Sequence, residues 1–309
     1  MQERIYFQVD ENFHRQRIDD FLFDKFHSLS KMYLRGVFKA GDCEVNGYTV
    51  NSGVKVKTND FVEITVDSDR ETAMRPEAVA LDIVYEEAEF LIVNKPPEML
   101  VHPTHREKNG TLLNALSYYL NSETLKERNG SGTENQPEIH NPKSKIVRPG
   151  LVHRLDKKTS GLLLIAKTAR AHRVLSEGFK RKTIEKRYAA LVEGIVEKDA
   201  GEIVAPIGRY EDTKHWNIKE DGKYAETHFE VKKRFADATL LELQPITGRT
   251  NQLRIHCEHL GHPIVGDEKR GGRKFSRLCL HAFKLSFKHP TNHQKLSFEI
   301  ALPADFYRR

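Results

Sequence analysis

Along residues 14–66 the apolar positions change period twice. Ile18, Phe21, Leu22 and Phe26 recur at helical spacing and give one apolar stripe. Ser28 or Ser30 can cap a second helix carrying Met32, Tyr33, Val37 and Phe38, which Gly41 ends. "CEVNGYTV" then sets Asn46-Gly47 between extended residues, the strongest short hairpin signal. In "DFVEITV", Val62, Ile64 and Val66 alternate with Glu63 and Thr65, as a strand with one apolar face requires. This pattern predicts a small α/β unit over residues 1–67. Residues 68–81 lack periodicity and read as a linker.

A different text begins at Asp82. Short apolar strands alternate with acidic and proline turns in "DIVYEEAEFLIVNKPPEMLVHP", and "TLLNALSYYL" predicts a capped amphipathic helix over 111–120. Residues 121–148 are polar and rich in Gly, Ser, Asn and Pro, a loop insertion that faces substrate or is simply tolerated. "LLLIA" predicts a buried strand, and residues 169–181 a helix with Val174, Leu175 and Phe179 inward. Further strands are expected in "KRYAALVEG", "GEIVAPIG", "AETHFEVKKRF", "ATLLELQPI", "LCLHAFKLSF" and "LSFEIAL", and a helix in "RTNQLRIHCEHLG". Strands outnumber helices and most connections look like hairpins. The fold class expected for residues 82–309 is α+β on a mixed, mainly antiparallel sheet.

Composition narrows the classes. Of 309 residues, 38% are hydrophobic and 30% charged, the balance of a globular chain with a real core rather than a disordered one. No apolar run approaches the roughly 20 residues of a membrane span, and the opening residues lack the apolar stretch of a secretory signal. A cytoplasmic protein is expected. Cys43, Cys257 and Cys279 are far apart and fit buried thiols better than a disulfide framework or zinc clip. Fifty Lys and Arg against 44 Asp and Glu give +6, suggestive of a polyanionic partner. Arg15, Arg17, Lys31, Arg35 and Lys39 gather on the predicted N-terminal helices, where a solvated face and an RNA contact are both open. The run "KRKTIEKR" leaves the same choice.

"GLVHRLDKKTSGLLLIAKT" carries the candidate chemistry. Taken locally, Asp156 before Thr159-Ser160-Gly161 is an ordinary turn-capping residue. Two further stretches change that reading: "EKRYAALVEG", with Tyr188 at the start of a strand, and "TGRTNQLRIHCEHLGHPIVGD", with Arg254 able to pair with a carboxylate. Together, in this order, the three resemble the motifs of the RluA/RluD-type pseudouridine synthases, and "VNKPPEMLVHP" and "GHPIVGD" extend the resemblance to about residues 14–305. Residues 14–66 resemble the alpha-L RNA-binding domain, named after a ribosomal small-subunit protein, with Asn59 where that module usually has Gly.

The resemblance implies an RNA-modifying isomerase. Asp156 takes the place of the invariant nucleophile. Tyr188 takes that of the residue that stacks on the target base and assists proton transfer, and Arg254 that of the catalytic Asp's ion-pair partner. The chain departs from the family at Glu98, where Gly is typical, and at Asn251, where His is. Converting uridine to pseudouridine breaks N1–C1′ and rejoins the base through C5, so no cofactor or metal is expected. A guanidinium beside Asp156 would keep it ionised, and a flipped base needs its displaced backbone held by cations. The RNA contacts expected are Arg154, Lys157, Lys158 and Arg249 near the catalytic loop and Arg17, Lys31 and Arg35 in the N-terminal module.

The favoured partner is large-subunit ribosomal RNA, bound by a monomer. Transfer RNA as substrate, a non-catalytic ribosome-assembly factor and a glycosylase that releases the base are the alternatives. His256, His259 and His262 have a metal-like spacing, but the helix ends near Gly261-Pro263, which argues against a shared ligand face. Trp216 in a predicted hairpin is read as packing, with RNA contact the alternative.

Overall fold

The computed structural model describes residues 2–26, 29, 31–67, 75–104, 106–122 and 148–307. The chain forms two compact units, one of Met1–Val79 with Pro103–Ile146, the other of Ala80–His102 with Val147–Arg309. Most of the expected polar insertion, residues 123–147, falls outside the described residues.

In the first unit, β1 (Gln2–Gln8), β2 (Cys43–Val45), β3 (Tyr48–Thr49) and β4 (Phe61–Asp67) make an antiparallel sheet in the order β1-β4-β2-β3. Helices α1 (Ile18–Lys25) and α2 (Lys31–Ala40) pack on one face, where Phe21, Leu22, Leu34 and Ile64 are fully buried. Asn46 (φ 52°) and Gly47 (φ 80°) both take the left-handed conformation that a tight primed hairpin turn needs. Asn59 does the same (φ 67°), and its amide donates to the Val9 carbonyl, so the turn closes with Asn in the family's Gly position. Helix α3 (Leu112–Tyr119) starts on a capping box between Thr111 and Asn114.

The second unit is built on one large sheet. Its strands are β5 (Ile83–Glu86), β6 (Phe90–Lys95), β7 (Gly150–Leu151), β8 (Ser160–Ala166), β9 (Glu185–Glu193), β10 (Ala200–Val204), β13 (Glu226–Arg234), β14 (Ala238–Pro245), β15 (Leu280–Lys288) and β16 (Lys295–Glu299). The main path runs β10-β13-β14-β9-β15-β8-β6-β5, and among the described residues only β8 with β15 pairs in parallel. A separate hairpin joins β11 (Ile207–Arg209) to β12 (Trp216–Ile218), and Trp216 packs there against the Ile207, Ala225 and Ile255 cluster.

Strand β8 is buried along its whole length, as its unbroken apolar run requires. Helix α4 (Ala169–Lys180), capped by Thr168, lays Ala171 and Leu175 over Phe90, Ile92, Leu162 and Leu164. Helix α5 is Gln252–His259. Two local expectations are corrected. "GEIVAPIG" splits into β10 and β11 at Ala205-Pro206, since proline cannot donate to a ladder. The turn after Asp156 spans Lys157-Lys158, closed by the Thr159 amide on the Asp156 carbonyl, so Ser160 and Gly161 already belong to β8.

Candidate active site

One cavity of about 490 Å³ collects most of the catalytic candidates. Asp156 comes from the loop before β8, Tyr188 from β9, Arg254 from α5, Arg154 from the loop before Asp156 and Arg249 from the β14–α5 connection. Tyr188 lies at the buried end, opposite Leu243 of β14 and Ala282 of β15. Lys157 and Lys158 stand beside the cavity on the turn, not in its lining. The remaining expected RNA contacts belong to the first unit. Arg17 precedes α1 and is tied to Asp19 at 2.9 Å, Lys31 opens α2, and Arg35 is exposed on α2.

The cavity is electrostatically asymmetric. Burial pushes the Asp156 carboxyl above its usual range, and the positive charges of Arg254, Arg154 and Lys95 oppose that shift, with Asp267 adding to it. Burial, reinforced by Asp156, drives the Tyr188 hydroxyl far above its ordinary value, so it enters any reaction as a neutral phenol.

Arg254 does not bind Asp156 directly. Its Nε and Nη2 donate to the two carboxylate oxygens of Asp267, each at 2.6 Å, and Nη1 donates to Asn251 at 3.0 Å. This corrects the expected ion pair. A planar guanidinium fixed by a bidentate carboxylate keeps its direction, and Arg254 acts on Asp156 through its field. Asn251 holds the left-handed position (φ 56°) at the head of α5, which Asn tolerates. Gln252 binds the loop from both ends of its amide. Its oxygen accepts from the Thr247 hydroxyl and the Arg249 amide, and its nitrogen donates to the Glu226 carbonyl and Thr227.

Sequence reasoning missed Lys95. Its side chain is fully buried, and its ammonium donates to the carbonyls of Pro96 (2.7 Å), Met99 (2.9 Å) and Lys157 (3.2 Å). Lys95 thereby fastens the "KPPEM" turn to the turn that carries Asp156. Burial lowers its pKa to about 8 against the attraction of Asp156 and Glu98. The one visible signal was a lysine closing an otherwise apolar strand, "FLIVNK". Glu98 occupies a left-handed backbone position (φ 61°), which accounts physically for glycine being typical there in the resembling family.

Behind Asp156, Ser160 is held twice. It accepts from Arg277 and shares a 2.7 Å hydrogen bond with Nδ1 of His281. Arg277 also faces Asp305 and lies over the Phe306 ring. Gly161 (φ 113°) crosses β15 so closely that a Cβ would come within 2.3 Å of the Ala282 carbonyl oxygen.

Two of the three histidines with metal-like spacing are engaged in hydrogen bonds. His256 is buried between Thr227 and the Ala205 carbonyl, and His262 bonds the Glu193 carbonyl at 2.7 Å. All three cysteines are buried and unpaired, their thiols pushed up to about 12, chiefly by desolvation.

Residues 89–259 match the RNA pseudouridylate synthase family. The chain belongs to that family. It is 40% identical over 294 residues to the RNA pseudouridine synthase YlyB of Bacillus subtilis, covering 94% of this chain and 91% of the relative. It is 34% identical to the ribosomal large subunit pseudouridine synthase D of Pasteurella multocida, covering 94% and 89%. Among solved structures, human RNA pseudouridylate synthase domain containing 1 superposes with a TM-score of 0.57 at 28% identity, over 74% of this chain and 89% of that one. The synthase is therefore an isomerase that acts on RNA. Among the described residues, no helix is long and apolar enough to cross a membrane.

Proposed function

We propose that this synthase isomerises uridines of large-subunit ribosomal RNA, with Asp156 as the nucleophile. The observation that carries the reading is the shared cavity. It sets one carboxylate among the fields of Arg254, Arg154 and Lys95, beside a neutral tyrosine on the sheet floor. In this reading, Asp156 attacks the sugar, or abstracts its proton, as the N1–C1′ bond breaks. The detached uracil turns over the Tyr188 ring and C5 rejoins C1′, displacing the Asp156 carboxylate or, on the proton-abstraction route, regaining the sugar proton from it; the C5 proton then leaves and N1 takes one up, with the neutral Tyr188 hydroxyl as relay. Arg254, aimed by Asp267, favours the charged carboxylate; Arg154 and Arg249 hold the displaced backbone of the flipped nucleotide.

The ribosomal assignment rests on relatives named as ribosomal large subunit pseudouridine synthases D and on the resemblance of residues 1–67 to an RNA-binding module, here proposed to grip the RNA for a monomeric enzyme. Carbodiimide labelling with reverse-transcription mapping tests it, comparing RNA from cells with the gene, without it and with Asp156→Asn. Stops in large-subunit RNA that vanish on deletion and return only with the intact gene are expected. Changes confined to transfer RNA would replace the substrate, and release of free uracil would replace the reaction.

A further inference from the structure

Six cations line the cavity, and one of them is half-buried without an ion-pair partner among the described residues. The basic lining residues are Arg154, Lys180, Lys182, Lys186, Arg249 and Arg254, against the carboxylates Asp156 and Glu185. Arg254 has Asp267, and Arg249 donates to the Tyr224 carbonyl at 2.9 Å. Lys186 is half-buried, yet it makes no ion pair or hydrogen bond among the described residues. Its ammonium instead sits 5.6 Å from the centre of the Phe179 ring.

That resting place is built. His153 stacks on Phe179 at 4.4 Å and 24°, and Nε2 of His153 accepts the Leu164 amide at 2.9 Å. Burial lowers the His153 pKa to about 3, so the imidazole is neutral and does not repel the lysine. A layer of His153, Phe179 and Lys186 therefore holds an ammonium over an aromatic face, a favourable but partial substitute for water. A buried charge without a counterion is costly and is rarely kept for packing alone. Glu185, next along β9, also lines the groove on the opposite side of the sheet, where Lys186 does not reach.

Lys186 lies two residues before Tyr188 on β9, on the same face of the strand and about 6.7 Å along it toward the exposed Lys182 at the lip. Resting on the synthase reading above, we propose that Lys186 binds a backbone phosphate flanking the flipped uridine, while Tyr188 takes the base. The phosphate supplies the counterion that the protein withholds. A charge-assisted contact in a desolvated cavity changes kcat/KM by about 10- to 100-fold when it is lost.

Two measurements test this. The first is a double-mutant cycle between Lys186→Met and an RNA fragment carrying a neutral methylphosphonate on the 5′ or the 3′ side of the target uridine. On natural RNA, Lys186→Met is expected to lower kcat/KM at least tenfold, while Lys186→Arg retains most of it. On one of the two modified RNAs, wild type and Lys186→Met are expected to differ by less than twofold. Additive losses on both modified RNAs overturn the subsite while leaving the synthase reading intact. Wild type inactive on every ribosomal and transfer RNA overturns both. The second measurement is thermal unfolding without RNA. Because burial disfavours the lysine's charged form, Lys186→Met is expected to raise Tm; a fall would mean the ammonium has a partner within the protein and would overturn the proposal.

Discussion

Asp156 is held where a charge is unwelcome, and that single condition yields two opposite predictions. Burial raises its folded-state pKa above the unfolded value. A carboxyl shifted this way adds stability below its unfolded pKa and loses it as pH rises through the folded one. Wherever Asp156 is ionised, its charge therefore strains the fold. Asp156→Asn should abolish isomerisation, by roughly 10⁴-fold or more, while raising Tm at pH 7 and leaving it unchanged at pH 3. An Asn variant less stable than wild type at pH 7 would refute the desolvation argument. For the same reason, the acid limb of kcat should lie above the ordinary carboxylate range. Lys95 predicts the reverse combination. Lys95→Met strands three carbonyls that now share one ammonium, at a cost of about 3 kcal/mol. Denaturant melts should show that loss, and kcat should fall with it because the Asp156 turn loses its tether.

At the scale of elements, the Asp156 loop is positioned by the only parallel strand contact among the described residues. Ser160 and Gly161 lie opposite His281 and Ala282, and the closeness of that crossing excludes a Cβ at residue 161. Gly161→Ala combines a clash with backbone carbonyl atoms and a positive φ. It should destabilise by about 3 kcal/mol or more and shift β8 against β15; a variant with wild-type Tm would count against the observed packing. Much of this level was legible in the sequence. The period-2 pattern of "DFVEITV", the Asn46-Gly47 turn and the unbroken apolar run of β8 each state a local rule, and the structure obeys it. The three motifs likewise converged on one cavity. What escaped were contacts between residues far apart in the chain. Nothing near Arg254 says that its guanidinium will find Asp267 before Asp156, and nothing near Ser160 points to Arg277 or His281, more than a hundred residues later. Lys186 was visible only as one charge in "KRKTIEKR", because its burial depends on α4 and on His153.

For the whole molecule, the proposed reading divides the cations behind the +6 net charge between two tasks. Cations of the second unit line the cavity, and that reading assigns them to turnover. Those of the first unit lie on a fold with its own core, Phe7 to Val66. Arg35 and Lys39 are exposed one turn apart on α2 and so form a single patch. If that patch grips RNA through phosphates, its contribution is nonspecific, additive and sensitive to salt. Each lost phosphate contact should then reduce the slope of log affinity against log salt by about 0.9 for duplex RNA treated like duplex DNA. Arg35→Glu with Lys39→Glu should therefore weaken binding to ribosomal RNA about tenfold or more at low salt and flatten that slope. Turnover at saturating RNA should stay within twofold of wild type, because no group in the cavity has changed. Lys186→Met should lower kcat/KM on short fragments as strongly as on long RNA, whereas the α2 variant should lose its effect as the fragment shortens. If the α2 variant instead lowers kcat on short fragments, the two units do not divide grip from chemistry, and the first unit must help to shape the catalytic cavity.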